Sequence, residues 1–375
     1  MGDFANLLTP IRFGAAMECV NRLYFSSVGF DVCDEVGRPL PAFFDIYESI
    51  IEGGCGFGFL GNASIDPQSK YTDRGLKLVS REHAEDLRPL IALAKGKQRP
   101  LVVQLQHYGV PSIDSETGAS RPKGDVTAAS DAQIEGYIAQ FCDAARLAMG
   151  IGAQAIQIHA ANGYLLSSFL SPRTNRRRDR WGGSPLKRAE LLLEILRRIR
   201  ALAAGRMAVF VRMQVDDGLG DGGLRVELLD EVIGAIESAG ADAITCATGV
   251  AETFGKFLSD RDYTVGVTSA AARFLKARTR LPIGFAANLD SLSFAERLIG
   301  DGTADFVGFG RAIVADHQFP NKELANRLEA VNRCRWDSYC LRDKKEPLAS
   351  RVYCCVNEAY LRPQHIQVIY QEKRS

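Results

Sequence analysis

Long hydrophobic runs are missing from this sequence. None approaches the roughly 20 residues that a membrane-spanning helix needs, so no transmembrane segment is expected. Net charge is nearly absent as well: 46 Lys and Arg against 45 Asp and Glu leave +1. Such a balance gives no reason to expect nucleic acid or an anionic membrane as a partner. The opening MGDFANLLTPIRFG has no basic region followed by an apolar stretch, so no signal peptide is expected. Asn6 stands where myristoylation wants Ser or Thr. The expectation is a cytoplasmic protein. Cysteine is present, but its nine copies are an odd number, scattered as far as Cys246 with four more in the tail. That excludes a disulfide framework. Repeats of 20–50 residues, low-complexity tracts and interdomain linkers are also lacking.

What remains is globular: 375 residues, 46% hydrophobic and 24% charged. Barrels of α/β type run to this length undivided. Eight strand-like apolar runs read as 22–29, 56–65, 100–108, 153–160, 208–215, 241–249, 282–288 and 304–311. Between them, patterns with helical spacing cover, for example, 132–149, 185–202, 226–239 and 291–299. The strands are apolar continuously rather than alternately, which indicates burial on both faces and hence a parallel sheet. The predicted fold class is α/β: a single (β/α)8 TIM barrel over residues 1–330, followed by a short Cys-rich C-terminal tail over 331–375. Active sites of such barrels form at the C-terminal ends of the strands. Polar residues gather there: Asn62, Gln104, His107, His159, Asn162, Arg212, Asn288 and Arg311. Each alone is as readily a solvated loop position or a satisfied buried polar group; the set together exceeds chance. The Gly/Ser/Asp-rich segment Ser112–Thr127 reads as an excursion over the barrel mouth, either a substrate lid or a loop without function.

The segment Ile158–Arg188, IHAANGYLLSSFLSPRTNRRRDRWGGSPLKR, carries the most chemistry. A strand end releases an imidazole (His159), a carboxamide (Asn162) and a phenol (Tyr164) within six positions. Such a trio is suited to hold a carbonyl oxygen and deliver a proton. The loop then runs into a helix expected near Pro185. Arg212, at the end of VFVRMQV, is an inward cation that could meet a developing negative charge; its alternative role is an ion pair with Asp216 or Asp217. Gln104 in LVVQLQH both donates and accepts. The last strands end in FAANL and VGFGRAI, whose small residues let backbone N–H groups approach a phosphate, aided by the following helices.

These motifs together resemble the Old Yellow Enzyme, or NADH:flavin oxidoreductase, family over residues 7–330. The resemblance rests on LLTPIRFG, NRLYFSS, QLQHYG, HAANGYL with FLSPRTNRRRDRWGGS, VRMQVDDG, FAANL and VGFGRAIVAD. It implies an FMN cofactor and NADH or NADPH as electron donor. Ser27, Val28, Gly29 and the backbone near Asn62 would lie along the flavin ring. Gln104 and Arg212 would bind its pyrimidine, and Ala287, Asn288, Gly310 and Arg311 its phosphate. His159 and Asn162 would hold the oxygen of an α,β-unsaturated carbonyl compound, and Tyr164 would donate a proton after hydride passes from flavin N5 to the activated C=C. Three positions depart from the family pattern: Gly29 replaces Thr or Cys, Ser27 a frequent Pro, and Asn62 a small residue.

The tail resembles the iron–sulfur region of the 2,4-dienoyl-CoA reductase and trimethylamine dehydrogenase branch. Cys334, Cys340 and Cys354 are the candidate ligands, but Asp337 stands at the second position and Leu341 where the third thiolate belongs. A four-iron cluster prefers four thiolates, so the expectation is a metal-free remnant, with an unusual cluster as the alternative. The sequence ends at Ser375, which implies that electrons from NAD(P)H reach the flavin directly. Two rival readings stay open: the same flavin running oxidatively, as a dehydrogenase, desaturase or amine dehydrogenase, and a non-catalytic flavoprotein. A small-molecule substrate is expected, and members of this family often associate, so a homo-oligomer is an expectation too. The loops 112–127 and 249–266 are expected to set the size of the substrate pocket.

Overall fold

Apolar runs whose two faces both need cover become the eight parallel strands of a closed barrel in a computed structural model of the chain. The structure describes residues 4–68, 72, 74–109, 126–338, 340 and 352–360. The strands are β3 (Leu23–Phe25), β4 (Phe57–Ser64), β5 (Leu101–Gln106), β6 (Ala155–Ala160), β7 (Ala208–Asp216), β8 (Ala243–Thr248), β9 (Ile283–Phe285) and β10 (Phe306–Phe309), with β10 pairing β3 to close the ring. A short antiparallel hairpin, β1 (Ile11–Phe13) and β2 (Met17–Cys19), precedes them. Sequence periodicity did not anticipate it, because three-residue strands carry too little pattern.

Two apolar cores explain the continuous runs. On β7, Val209, Val211, Met213 and Val215 join the main core with the surrounding helices, whereas Ala208 and Phe210 belong to a second cluster. That second cluster also takes Phe13, Met17, Tyr24, Phe57, Phe59, Val102, Ala155, Ala243 and Phe306. Alternate side chains of each strand therefore enter the barrel interior, and Phe13 of the hairpin plugs its N-terminal end. The Phe13 ring lies 4.6 Å from Phe210, 5.3 Å from Phe57 and 5.2 Å from Phe306.

Moving up the strands, the inward positions change from aromatic to polar. Phe210 gives way to Arg212 and Gln214, Ala155 to Gln157 and His159, and Val102 to Gln104 and Gln106. A bulge between Leu60 and Ala63 interrupts β4. Gly61 there has φ +116°, and a Cβ would stand 2.6 Å from the Ala63 nitrogen, so only glycine fits the turn that presents Asn62.

The helices are α1 (Pro41–Ile51), α2 (Arg81–Gly96), α3 (Asp131–Gly150), α4 (Leu165–Leu170), α5 (Pro185–Ala203), α6 (Asp230–Ser238), α7 (Phe254–Ser259), α8 (Arg261–Lys276), α9 (Leu292–Gly300), α10 (Arg311–Ala315) and α11 (Phe319–Leu324). Local chemistry explains their starts. Ser130 and Gln133 form a reciprocal capping box on α3, and Ser184 caps α5 with Pro185 in its first turn. The helix expected over 226–239 is split, with a 3-10 turn at Val226–Leu229 before α6, because Leu229 leaves helical geometry at φ −96°, ψ 2°. The loop expected over 249–266 is largely helical: it contains α7 and the start of α8, which Asp260 caps by accepting from Tyr263 N at 3.0 Å. Of the excursion Ser112–Thr127, residues 112–125 lie outside the described residues. Among the described residues no helix is long and apolar enough to cross a membrane.

Candidate active site

A cleft with ≈ 1020 Å³ of empty space, its open mouth included, sits at the C-terminal ends of the strands. Ser27, Val28, Asn162, Arg212, Asn288, Gly310 and Arg311 all line it. The tertiary fold thus gathers residues from five separate stretches of the sequence. Ala286 lines the cleft as well, whereas Ala287 is packed in the main apolar core, so only its backbone could serve a ligand. Gly29 is half-buried one residue beyond Val28.

The floor is a directed chain of hydrogen bonds. Arg212 Nη1 donates to Ser27 Oγ at 3.3 Å, and Ser27 Oγ donates to Gln104 Oε1 at 2.9 Å. Gln104 Nε2 donates to Gln157 Oε1 at 2.5 Å, and Gln157 Nε2 to Thr245 Oγ1 at 2.7 Å. Thr245 is the register neighbour of Arg212 on β8, so the chain circles the barrel. Gln157 and Thr245 escaped the sequence analysis; their position two residues from His159, or beside Arg212, was the available signal. Asn62 is tied separately, its Nδ2 donating to Gln106 Oε1 at 2.7 Å.

Burial lowers the pKa of the Arg212 guanidinium from its usual value. The alternative of a pair with Asp217 is not realised, because Asp217 Oδ2 accepts from Ser171 Oγ and Leu224 N, each at 2.8 Å. His159 is the register neighbour of Arg212 on β6 and is 3% exposed. Burial first, and then the positive charge of Arg212, push its pKa well below the ordinary imidazole value. The ring is therefore neutral. Its Nδ1 accepts from Ala161 N at 3.3 Å, which leaves Nε2 as the N–H donor.

Asn162 and Gly163 turn the chain with φ +59° and +77°, a conformation asparagine and glycine tolerate best. This turn starts Tyr164 at the head of α4. The phenol ring stands edge-on to His159 (5.4 Å, 83°) and to Tyr108 (5.1 Å, 86°). Asn162 does not aim its amide as expected for a substrate clamp: Nδ2 donates to Thr248 O at 3.1 Å and Gly249 O at 3.3 Å. Its main chain donates to Gln214 Oε1 at 2.8 Å. His107 stands beside Asp66, with Nε2 3.5 Å from the carboxylate.

The Arg-rich loop after Tyr164 is scaffold. Arg177 donates to Val126 O, Thr127 O and Ala129 O and pairs with Asp179, and Arg188 donates to Leu170 O. At the other end of the cleft, Arg311 donates to Asn288 Oδ1 and Leu258 O, and Asn288 Nδ2 donates to Phe257 O at 2.8 Å. The α10 helix is a single turn, and the α9 N-terminus is capped by Ser291 and by Glu323, whose Oε2 accepts from Leu292 N.

Among the described residues no three His, Cys, Asp or Glu side chains gather so as to hold a metal ion. Burial, then the neighbouring Cys334, pushes the Cys340 thiol up to about 12, and burial raises Cys334 too. Cys354 lies half-buried against the main core, and Leu341 lies outside the described residues.

The profile of the NADH:flavin oxidoreductase / NADH oxidase family matches residues 6–329. The chain belongs to that family. It is the family that the sequence motifs resemble, and its cofactors are FMN and NAD(P)H. The NADH oxidase of Thermoanaerobacter brockii is 28% identical over 346 residues, covering 89% of this chain and 53% of that protein. The NADPH dehydrogenase of Geobacillus thermodenitrificans is 28% identical over 324 residues, covering 83% of this chain and 92% of that one. A solved 2-naphthoyl-CoA reductase in complex with 2-naphthoyl-CoA superposes with a TM-score of 0.84 at 24% identity, a likeness of fold. It covers 95% of this chain and 57% of the reductase. The chain therefore spans about half the length of the oxidase and the reductase and nearly all of the dehydrogenase.

The residues present fit the family's flavin. Two arginines face the cleft, half-buried Arg212 beside Ser27 and buried Arg311 beside Asn288, while no carboxylate lines it among the described residues. A mononucleotide flavin carries a phosphate, and its pyrimidine edge becomes negative on reduction; each asks for such a cation.

The neutral state of His159 has a pH consequence. A folded-state pKa below the usual ~6.5 means that protonation sets in only in the acid range. The rate of any step using its Nε2–H donor is expected to show no inflection near pH 6.5, any His159 titration lying at lower pH. A pre-steady-state pH profile checks this; a titration near 6.5 would show that the imidazole is solvated.

Proposed function

We propose that this chain is an FMN-dependent oxidoreductase that takes hydride from NADH or NADPH and reduces the activated C=C of an α,β-unsaturated carbonyl compound. When bound, the flavin supplies the hydride-transfer chemistry. The protein supplies geometry and protons. Arg212, set by Ser27, and Gln104, set by Gln157, would hold the pyrimidine edge, and Arg311, Asn288 and the backbone around Gly310 the phosphate. Ser27, Val28, Gly29 and the backbone near Asn62 would flank the ring, with the backbone of Ala287 beside the phosphate.

The observation that carries this reading is His159: a neutral, buried imidazole whose free N–H is Nε2, next in register to the Arg212 cation. Such a donor stabilises negative charge as it develops on a carbonyl oxygen without losing its own proton. Tyr164, held edge-on to the same ring, would donate the proton to the α-carbon as general acid. Asn162 would help hold that oxygen only after releasing its bonds to Thr248 and Gly249.

The test is an anaerobic half-reaction experiment. Stoichiometric FMN should bleach on addition of NADPH or NADH, and a cyclic enone should restore its absorbance. Protein without flavin, or reduced flavin that enones do not reoxidise, would sink the proposal.

A second reading, the same flavin working oxidatively on an amine, gains support from Asn162. With both amide hydrogens given to backbone carbonyls, the site has one oxygen donor fewer than an enolate would prefer. Bleaching of the flavin by an amine, without nicotinamide, would select this reading.

A further inference from the structure

The family profile ends at residue 329, yet the wall of the cleft continues beyond it. Trp336, from the tail, lines the cleft beside Asn288, Gly310 and Arg311. The Arg311 guanidinium lies 4.6 Å from the centre of the Trp336 ring. Its Nη1 donates to Ser338 Oγ at 2.5 Å, and Ser338 is 2% exposed. Arg261 approaches the same indole at 5.9 Å, with its charge met by Asp290.

The turn that presents these residues is strained. Trp336 and Ser338 have φ +58° and +63°, which side-chain-bearing residues adopt rarely and only when surrounding contacts hold them. The contacts are visible: Trp336 N donates to Cys334 Sγ at 3.4 Å, Arg333 Nη1 to Asp290 O at 2.8 Å, and Asn332 N to Asp316 Oδ2 at 3.0 Å. The tail is thereby pinned to the segments after β9 and β10, from which Asn288 and Arg311 come.

We propose that the tail turn Cys334–Ser338 is part of the cofactor site, with Trp336 and Ser338 as positioning residues that fix Arg311 for the flavin phosphate. The inference rests on the FMN reading above and extends it past the family's matched span. Arg311 is a long, flexible cation. Stacked on an indole and hydrogen-bonded on one edge, it loses most of its rotamers before the ligand arrives, so less is lost on binding.

The test titrates the flavin-stripped full chain with FMN and, separately, with riboflavin, which lacks the phosphate, following quenching of flavin fluorescence. Trp336→Ala should weaken FMN about tenfold and Ser338→Ala about fivefold, while riboflavin changes by less than about twofold. Trp336→Phe should keep most of the FMN affinity. Trp336→Ala added to Arg311→Met should weaken FMN no further, because its partner is already gone. Equal weakening of both flavins, or of neither, in the two alanine variants would overturn the proposal and leave the FMN reading intact. No FMN binding by the wild-type protein would overturn both.

Discussion

Replacing His159 with leucine is expected to slow reoxidation of the reduced enzyme by an enone about 10²–10³-fold, the usual cost of removing one preorganised oxyanion donor. Leucine fills much of the ring's volume but carries no N–H, so the loss reports the donor rather than a cavity. Photoreduced enzyme mixed with enone in a stopped flow isolates the step, and flavin content and thermal midpoint show whether the variant has stayed assembled. Asn162 provides the contrast. Its amide hydrogens go to Thr248 O and Gly249 O, so Asn162→Gly, which keeps the left-handed backbone, should cost less than about tenfold. That figure corresponds to one weak or indirect hydrogen bond. Equal losses at the two positions would show that Asn162 swings round to the substrate, and that the arrangement without substrate is not the reacting one.

Phe13→Ala should destabilise the fold by about 3–5 kcal/mol, the cost of truncating a buried aromatic residue. The ring is 0% exposed and touches three inward-facing phenylalanines from β4, β7 and β10. Its loss leaves a cavity lined by strands that the barrel closure holds in place, so the walls have little freedom to collapse. The denaturation midpoint should drop while residual folded protein still binds flavin, because the plug lies at the end of the barrel opposite the cleft. A loss below about 1 kcal/mol would mean that the hairpin repacks and is not a true plug.

The barrel itself was legible because its strands are buried on both faces, and a run such as VFVRMQV states that locally. Helix starts were legible for the same kind of reason: Ser130 with Gln133, and Ser184 with Pro185, cap their own helices across three residues. The left-handed turn at Asn162 and Gly163 was not read in advance, although both residue types tolerate that region. Three-residue strands and a helix inside a connecting segment carry too few periods to be read in advance.

What the sequence by itself determined is the inventory and its order: eight strands, polar residues at their ends, an imidazole, a carboxamide and a phenol released together. Only the tertiary structure decided how those groups are oriented and charged. Ser27, Gln104, Gln157 and Thr245 join one hydrogen-bonded chain across separations of 77, 53 and 88 residues. The neutral state of His159 depends on burial and on Arg212 from the next strand. Asn162 is turned by the carbonyls ending β8, and Arg311 is held by a tail residue. The physical reason is common to all of them. Backbone propensity and burial pattern act over a few neighbouring residues, whereas hydrogen-bond direction and protonation depend on whatever closure of the barrel brings alongside.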